Sequence, residues 1–265
     1  MSKQVWVGKI IDVHCHLEFM KHPDKVIKEA KTKMDAIVTS CAAIKHKELT
    51  LSFVKKNPGF VFATLGLSPS EVPNLTMGEI NDYVEFIRLN KKNIVGIGEV
   101  GLDYHWIKNK EQQKETKFVF EIFIGLANEL HLPIVIHSRN AMADVFKSLE
   151  NARTDVILHC FSGSPADLKE AIERKYWISL ATIVCKSHTR QRLIGRIPLE
   201  NLLLETDSPW LDPFSSDLVN RPWNISFTAD LIASRLGMLT EEVLLQTTKN
   251  AIKVFNLSQA IRKNI

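Results

Sequence analysis

The sequence has little with which to staple or anchor a fold. Four cysteines stand among 265 residues, Cys15, Cys41, Cys160 and Cys185, and no two form a Cys-x-x-Cys pair. A chain of that length buries enough apolar surface to do without disulfides, so the thiols are expected to be reduced and mostly buried, as in a cytoplasmic protein. No apolar run approaches the ~18 residues of a membrane-spanning helix, and the opening Met1-Ser-Lys-Gln-Val-Trp6 holds no segment of signal-peptide length. A membrane is therefore not an expected partner. Linkers rich in Pro, Gly or Ser, low-complexity tracts and abrupt composition shifts are also missing, so residues 1–265 are expected to form a single domain. Charge of one sign is scarce. With 34 Lys and Arg against 30 Asp and Glu, the net +4 tolerates a polyanionic partner without requiring one.

What the sequence does have is rhythm. Short apolar runs at Lys9–Val13, Ala36–Ser40, Val61–Leu67, Ile94–Glu99, Pro133–His137, Asp155–His159, Tyr176–Ser179 and Leu202–Glu205 read as strands. Between them, Leu49–Lys56, Met77–Leu89, Glu111–Leu130, Ala141–Leu149, Asp167–Arg174 and a short Arg190–Ile194 carry helical spacing. Ile225–Leu236, Glu241–Thr248 and Ala251–Phe255 follow as extra C-terminal helices. Strands alternating with helices imply βαβ units and a parallel sheet. Eight strands in a length near the ~250 residues of a (β/α)₈ barrel make a single TIM-like α/β barrel the expected fold, with a doubly wound open sheet as the alternative.

The residue types that hold metals fall at one place in that rhythm. His14 and His16 follow the first strand, and their spacing of two puts both rings on one side of an extended chain, with Cys15 on the other. Glu99, His137 and His159 end the fourth, fifth and sixth strands, and Asp207 lies just beyond the eighth. A lone histidine after a strand reads as well as a structural residue. Six such residues at equivalent ends of five strands point instead to the C-terminal rim of a barrel, where catalytic groups converge. Four imidazoles and two carboxylates suit Mg²⁺, Mn²⁺ or Zn²⁺ and exceed what one tetrahedral ion needs, so two divalent ions sharing a carboxylate are expected.

The surroundings of these residues carry a resemblance. The segments are Ile11-Asp-Val-His-Cys-His-Leu17, Gly96-Ile-Gly-Glu-Val-Gly-Leu-Asp-Tyr104, Pro133-Ile-Val-Ile-His-Ser-Arg139, Leu158-His-Cys-Phe-Ser-Gly163, Leu203-Leu-Glu-Thr-Asp-Ser-Pro209 and Asn250-Ala-Ile-Lys-Val-Phe255. In this order, over nearly the whole chain, the sequence resembles the TatD family of metal-dependent deoxyribonucleases, within the amidohydrolase superfamily. The resemblance implies one ion on His14, His16, Glu99 and Asp207 and a second on Glu99, His137 and His159. Glu99 would then bridge the ions, and Asp207 would accept the proton of the attacking water. It also implies a nucleic-acid substrate, DNA with single-stranded or 3′ ends, cut as by a 3′-exonuclease. Hydrolysis of a D-aminoacyl-tRNA ester is the alternative, or nucleic-acid binding with little turnover. No lysine occupies the fourth-strand position where some superfamily members carry a carbamylated one; Glu99 stands there.

Ser68, Tyr104, Arg139 and Arg221 are the expected substrate contacts. The family usually has Gly-x-His-Pro after its third strand, whereas this chain reads Gly66-Leu-Ser-Pro69. Serine can bond a phosphate oxygen but cannot carry the positive charge of an imidazole. Asn220-Arg-Pro-Trp-Asn224 matches only approximately the family's Arg-Asn-x-Pro, leaving Arg221 as a phosphate clamp or a surface ion pair. Asp103 is expected to support a ligand histidine or Arg139, while Cys15 and Cys160 are expected to point away from the metals. Gly96-x-Gly98-x-x-Gly101 has the spacing of a dinucleotide-binding turn, but Glu99 within it would repel a pyrophosphate, so no nucleotide cofactor is expected. The glycines are read instead as room for close backbone approach. Tyr104, Trp106 and Trp210 on the rim are open to base stacking or loop packing, and Trp223 reads as packing. His22, His46, His131 and His188 read as surface residues, and His105 is left open. The oligomeric state is not legible, and a monomer is compatible with everything above.

Overall fold

The computed structural model describes residues 10–257, so Lys9 and the reading of the N-terminus lie outside the described residues. Eight strands form one all-parallel sheet in sequence order: β1 (Ile11–Cys15), β2 (Ala36–Cys41), β3 (Val61–Leu65), β4 (Gly96–Asp103), β5 (Ile134–Arg139), β6 (Val156–Leu158), β7 (Trp177–Ala181) and β8 (Leu202–Glu205). Beyond the last strand the ring is drawn together by backbone bonds from His16 N to Ser208 O at 2.8 Å and Asp207 N to His14 O at 2.9 Å. Buried Asp12 on β1 reinforces the seam by accepting the Thr206 N–H at 3.0 Å and the Thr206 hydroxyl at 2.5 Å. The expected barrel is the observed one.

The helices are α1 (Pro23–Ala30), α2 (Lys47–Lys56), α3 (Met77–Leu89), α4 (Lys110–Leu130), α5 (Met142–Ser148), α6 (Pro165–Glu173), α7 (His188–Gln191), α8 (Ile225–Leu236) and α9 (Thr240–Val254). Their starts have local causes. Thr76 and Glu79 form a capping box at α3, Ser164 and Asp167 form another at α6, and the Asn109 side chain accepts from two amides at α4. Helix α1 is absent from the sequence expectation, although Val26, Ile27 and Ala30 share one buried face of its eight residues. The two C-terminal segments expected around Thr248 and Ala251 join into the single helix α9.

Two apolar clusters divide the core. The larger lies between strands and helices. The smaller gathers Ile11, Val13, Ala36, Val38, Phe62, Val135, Ile157, Trp177 and Leu203 with Ala251, Val254, Phe255 and Leu257, and no helix from α1 to α8 contributes to it. It is therefore the barrel interior, closed at its N-terminal end by the tail of α9. No helix among the described residues is long and apolar enough to cross a membrane.

Candidate metal centre

Irregular strand pairing aims the site residues. Register shifts between Asp12 and Cys15 on β1 let Val13 join the interior cluster while His14 and His16 both reach the donor cluster. Cys15 turns to the helix-facing core, as expected. A second shift, between Ile97 and Val100, surrounds Glu99. Glu99 therefore does not end its strand, as expected from the apolar run, but sits at a bulge within β4, which continues to Asp103. Glycines make that bulge possible. Gly98 and Gly101 take φ of +144° and +145°, and a Cβ on them would lie 2.7 Å from Val135 and 2.0 Å from His137 O. A Cβ on Gly66 would lie 2.6 Å from Glu99 O. The Gly-x-Gly-x-x-Gly spacing thus serves close packing of β3, β4 and β5 around Glu99.

The six expected residues converge. His14 Nε2 and His16 Nε2 are 3.1 Å apart. Glu99 Oε2 lies 3.5 Å from the former and 3.6 Å from the latter. Asp207 Oδ1 lies 3.3 Å from His16 Nε2 and 3.8 Å from His14 Nε2. The other oxygen of Glu99, Oε1, faces a different pair: His137 Nδ1 at 2.9 Å and His159 Nε2 at 3.9 Å. Three overlapping sets, His14–His16–Glu99, His14–His159–Asp207 and Glu99–His137–His159, each hold their donor atoms within 4.8 Å of one another. The cluster is capable of binding metal.

Three of the four histidines are oriented from behind by carboxylates. His16 Nδ1 meets Glu18 Oε1 at 3.3 Å, His137 Nε2 meets Asp103 Oδ2 at 3.1 Å, and His159 Nδ1 meets Glu205 Oε1 at 3.1 Å. Such partners fix the ring and raise its basicity. His14 differs: its ring stacks on His159 at 4.1 Å, and its Nδ1 is buried without a partner among the described residues.

The charge balance shows what this set of donors wants. Burial opposes charge on His16, yet hydrogen bonds to Asp207 and Glu18 lift its pKa well above the ordinary value. Burial likewise opposes charge on His137, but Asp103 and Glu99 raise it to about 10. Burial would push Glu99 up, and the bonds to His137 and His14 instead hold it well below the usual carboxylate range. Burial and the neighbouring His159 keep His14 low. Buried carboxylates are thus balanced by protons on imidazoles, positive charge that a divalent cation supplies equally well.

The cluster floors a cavity of about 410 Å³. Ser68 and Arg139, two of the four expected substrate contacts, line it. Tyr104 and Arg221 do not. The Tyr104 hydroxyl donates to Asp144 on α5 at 2.8 Å, and Arg221 bonds the backbone oxygen of Asn220 at 3.2 Å. Both are turned to neighbouring chain, and neither is among the residues that line the cavity. His105 packs edge-on to Trp106 at 4.7 Å and is also outside the lining. Trp223 packs on the core with the Lys33 ammonium 4.1 Å from its ring.

Cys160 lines the cavity, contrary to the expectation that it points away, because Arg190 Nη1 holds both its Sγ at 3.0 Å and its carbonyl at 3.2 Å. Burial pushes its thiol up to about 12, so it stays protonated. Arg190 itself, Phe19, Glu18 and Glu205 are not among the residues expected at the site. The alternation that paired His14 with His16 would have placed Glu205 beside Asp207, two residues on. Arg190, in the short helix α7, and Phe19, in a 3₁₀ turn after β1, carry no such signal.

Comparison with known proteins identifies the family and agrees with the fold. The model of the family described as TatD related DNase matches residues 11–256. The human deoxyribonuclease TATDN3 is 34% identical, over 93% of this chain and 94% of that protein. The 3′-5′ ssDNA/RNA exonuclease TatD of Erwinia tasmaniensis is 28% identical, over 91% of this chain and 96% of that one. In fold, the crystal structure of the Escherichia coli TatD homologue YJJV aligns with a TM-score of 0.85 at 22% identity, covering 95% of this chain and 99% of that one.

Proposed function

This chain belongs to the TatD-related DNase family of metal-dependent hydrolases, and from that premise we propose that it uses two metal ions to remove nucleotides from the 3′ end of single-stranded DNA. The observation that carries the two-ion reading is Glu99, whose two oxygens face separate donor pairs. His14, His16, Glu99 and Asp207 would hold one ion, and Glu99, His137 and His159 the other, with Glu99 shared. Bound there, divalent cations such as Mg²⁺, Mn²⁺ or Zn²⁺ supply an acidified water and offset charge on the phosphoryl oxygens.

The protein supplies the rest. Asp207, lining the cavity beside His16, takes the proton of the attacking water. The water oxygen bonds to phosphorus as the ester P–O bond breaks, and the leaving 3′-oxygen takes up a proton from solvent to become a hydroxyl. Glu18, Asp103 and Glu205 keep three imidazoles aimed inward through that change. Arg139 and Arg190, both lining the cavity, balance phosphate charge, and Ser68 offers a hydroxyl in place of an imidazole. Two things support action at a chain end: the name of the Erwinia relative, and a cavity of a size that suits one nucleotide rather than a duplex.

The test is a 5′-labelled single-stranded oligodeoxynucleotide incubated with Mg²⁺, Mn²⁺, Zn²⁺ or chelator, beside Glu99→Ala and Asp207→Ala. A metal-dependent ladder shortening from the 3′ end, absent in both variants, is the expected result. Internal cuts would overturn the exonuclease reading. Intact DNA with metal bound would overturn the nuclease and turn attention to a carbonyl ester such as that of D-aminoacyl-tRNA.

A further inference from the structure

Two exposed aromatic rings stand at the cavity mouth, and the hydrolytic chemistry gives them no role. Phe19 is 41% and Trp210 47% exposed, and both line the cavity. Their ring centres are 5.2 Å apart at 51°. Each is tied to the metal cluster by the same device. Phe19 N–H donates to His16 O at 3.2 Å, and Trp210 N–H donates to Asp207 O at 3.0 Å, so each ring stands three residues after a cluster residue in a closed turn. The His16 ring lies edge-on to both, 5.9 Å from Phe19 and 5.2 Å from Trp210. His46, expected at the surface, is half-buried and braces Phe19 at 5.0 Å.

The support is fixed on the other side as well. Asn220 N–H donates to Pro209 O at 2.9 Å, and the Asn220 amide donates to Thr206 O and Thr182 Oγ1, closing the loop that carries Trp210. Asp212 accepts the Phe214 and Ser215 amides within it. Large aromatic faces held in water on anchored turns forgo the stabilisation of burial, which suits a flat ligand. The rings touch each other, so that ligand lies against them and is not sandwiched between them. Arg139 and Arg190 line the same cavity, which adds a preference for an anion attached to the flat group.

We propose that Phe19 and Trp210 form a stacking platform for the nucleobase beside the scissile phosphate, making the protein discriminate a base-bearing chain end from a bare phosphodiester. The substrate class rests on the nuclease reading above, and the location rests on the aromatic geometry alone.

The experiment uses an oligothymidylate and the same oligonucleotide ending in a 3′ abasic tetrahydrofuran residue. Cleavage is measured with metal, and binding by fluorescence anisotropy in chelator. The wild type favours the base-bearing end by roughly 5- to 150-fold, the usual range for one base on an aromatic ring. In Trp210→Ala the preference falls to near unity while the abasic end is handled as before. Trp210→Phe keeps most of the preference, and Phe19→Ala part of it. Equal handling of both ends by the wild type, binding of neither, or an equal loss on both ends in Trp210→Ala would overturn the platform. The two readings separate cleanly. Trp210-dependent preference in binding without cleavage sinks the nuclease and keeps the platform, whereas cleavage without preference does the reverse.

Discussion

Val135, Ile157 and Leu203 meet Val254 and Phe255 inside one end of the barrel, and two residues further on stand His137 and Glu205 within their strands and His159 just past the end of β6. The side-chain period of a strand is two, so the two sets share a face. The floor buries only apolar surface, each large side chain contributing ~1.5–3 kcal/mol. The rim buries carboxylates and imidazoles, whose desolvation is costly unless each finds a partner. One continuous interior therefore divides its labour, and the floor's burial offsets the cost of a charged rim.

If that division holds, removing a group from the rim should cost activity and removing one from the floor should cost stability. Glu99→Ala is the largest expected effect at the rim. We expect kcat/KM on single-stranded DNA to fall on the order of 10³-fold or more, since loss of one transition-state-stabilising donor already costs ~10²–10³, with unchanged circular dichroism. Next is Phe255→Ala at the floor, expected to lower unfolding free energy by ~3–5 kcal/mol in urea titrations with kcat unaltered below the transition. A matching fall in kcat would break the comparison.

Metal linkage sharpens it further. Chelator should abolish activity and lower the melting midpoint, and a divalent ion at a hundredfold excess over its Kd should restore ~2.7 kcal/mol of stability. Glu99→Ala should lose most of that response and Phe255→Ala none. Smallest are Asp103→Asn and Glu205→Gln, which keep the shape behind His137 and His159 but remove the charge. Each is expected to weaken metal affinity or activity ~10- to 100-fold, read by isothermal titration with Mn²⁺. No change in affinity would mean these carboxylates merely fill space.

How much of this was legible follows from the range of the interactions. The bounds of α3 and α8 and the extent of β8 were readable because caps and apolar spacing are local. The pairing of His14 with His16 was readable because alternation is a property of any strand. The bulge at Glu99 was not, since it depends on β3 and β5 closing on Gly66, Gly98 and Gly101 from distant parts of the chain. Nor was the fate of Tyr104, whose hydroxyl is claimed by Asp144 forty residues away. Phe19 and Trp210 are separated by most of the chain and meet only because β1 and β8 are neighbours in the closed ring.

By itself the sequence determined the alternation of strand and helix, the barrel that eight such units close, and the kind of atom placed at its rim. Those are consequences of periodicity and of side-chain chemistry, which travel with each residue. Tertiary structure alone decided which oxygen of Glu99 faces which histidines, which carboxylates stand behind them, and which aromatic and cationic side chains share the cavity with the cluster. Each of these is a distance between segments far apart in sequence, fixed only when the packed barrel brings its strand ends together.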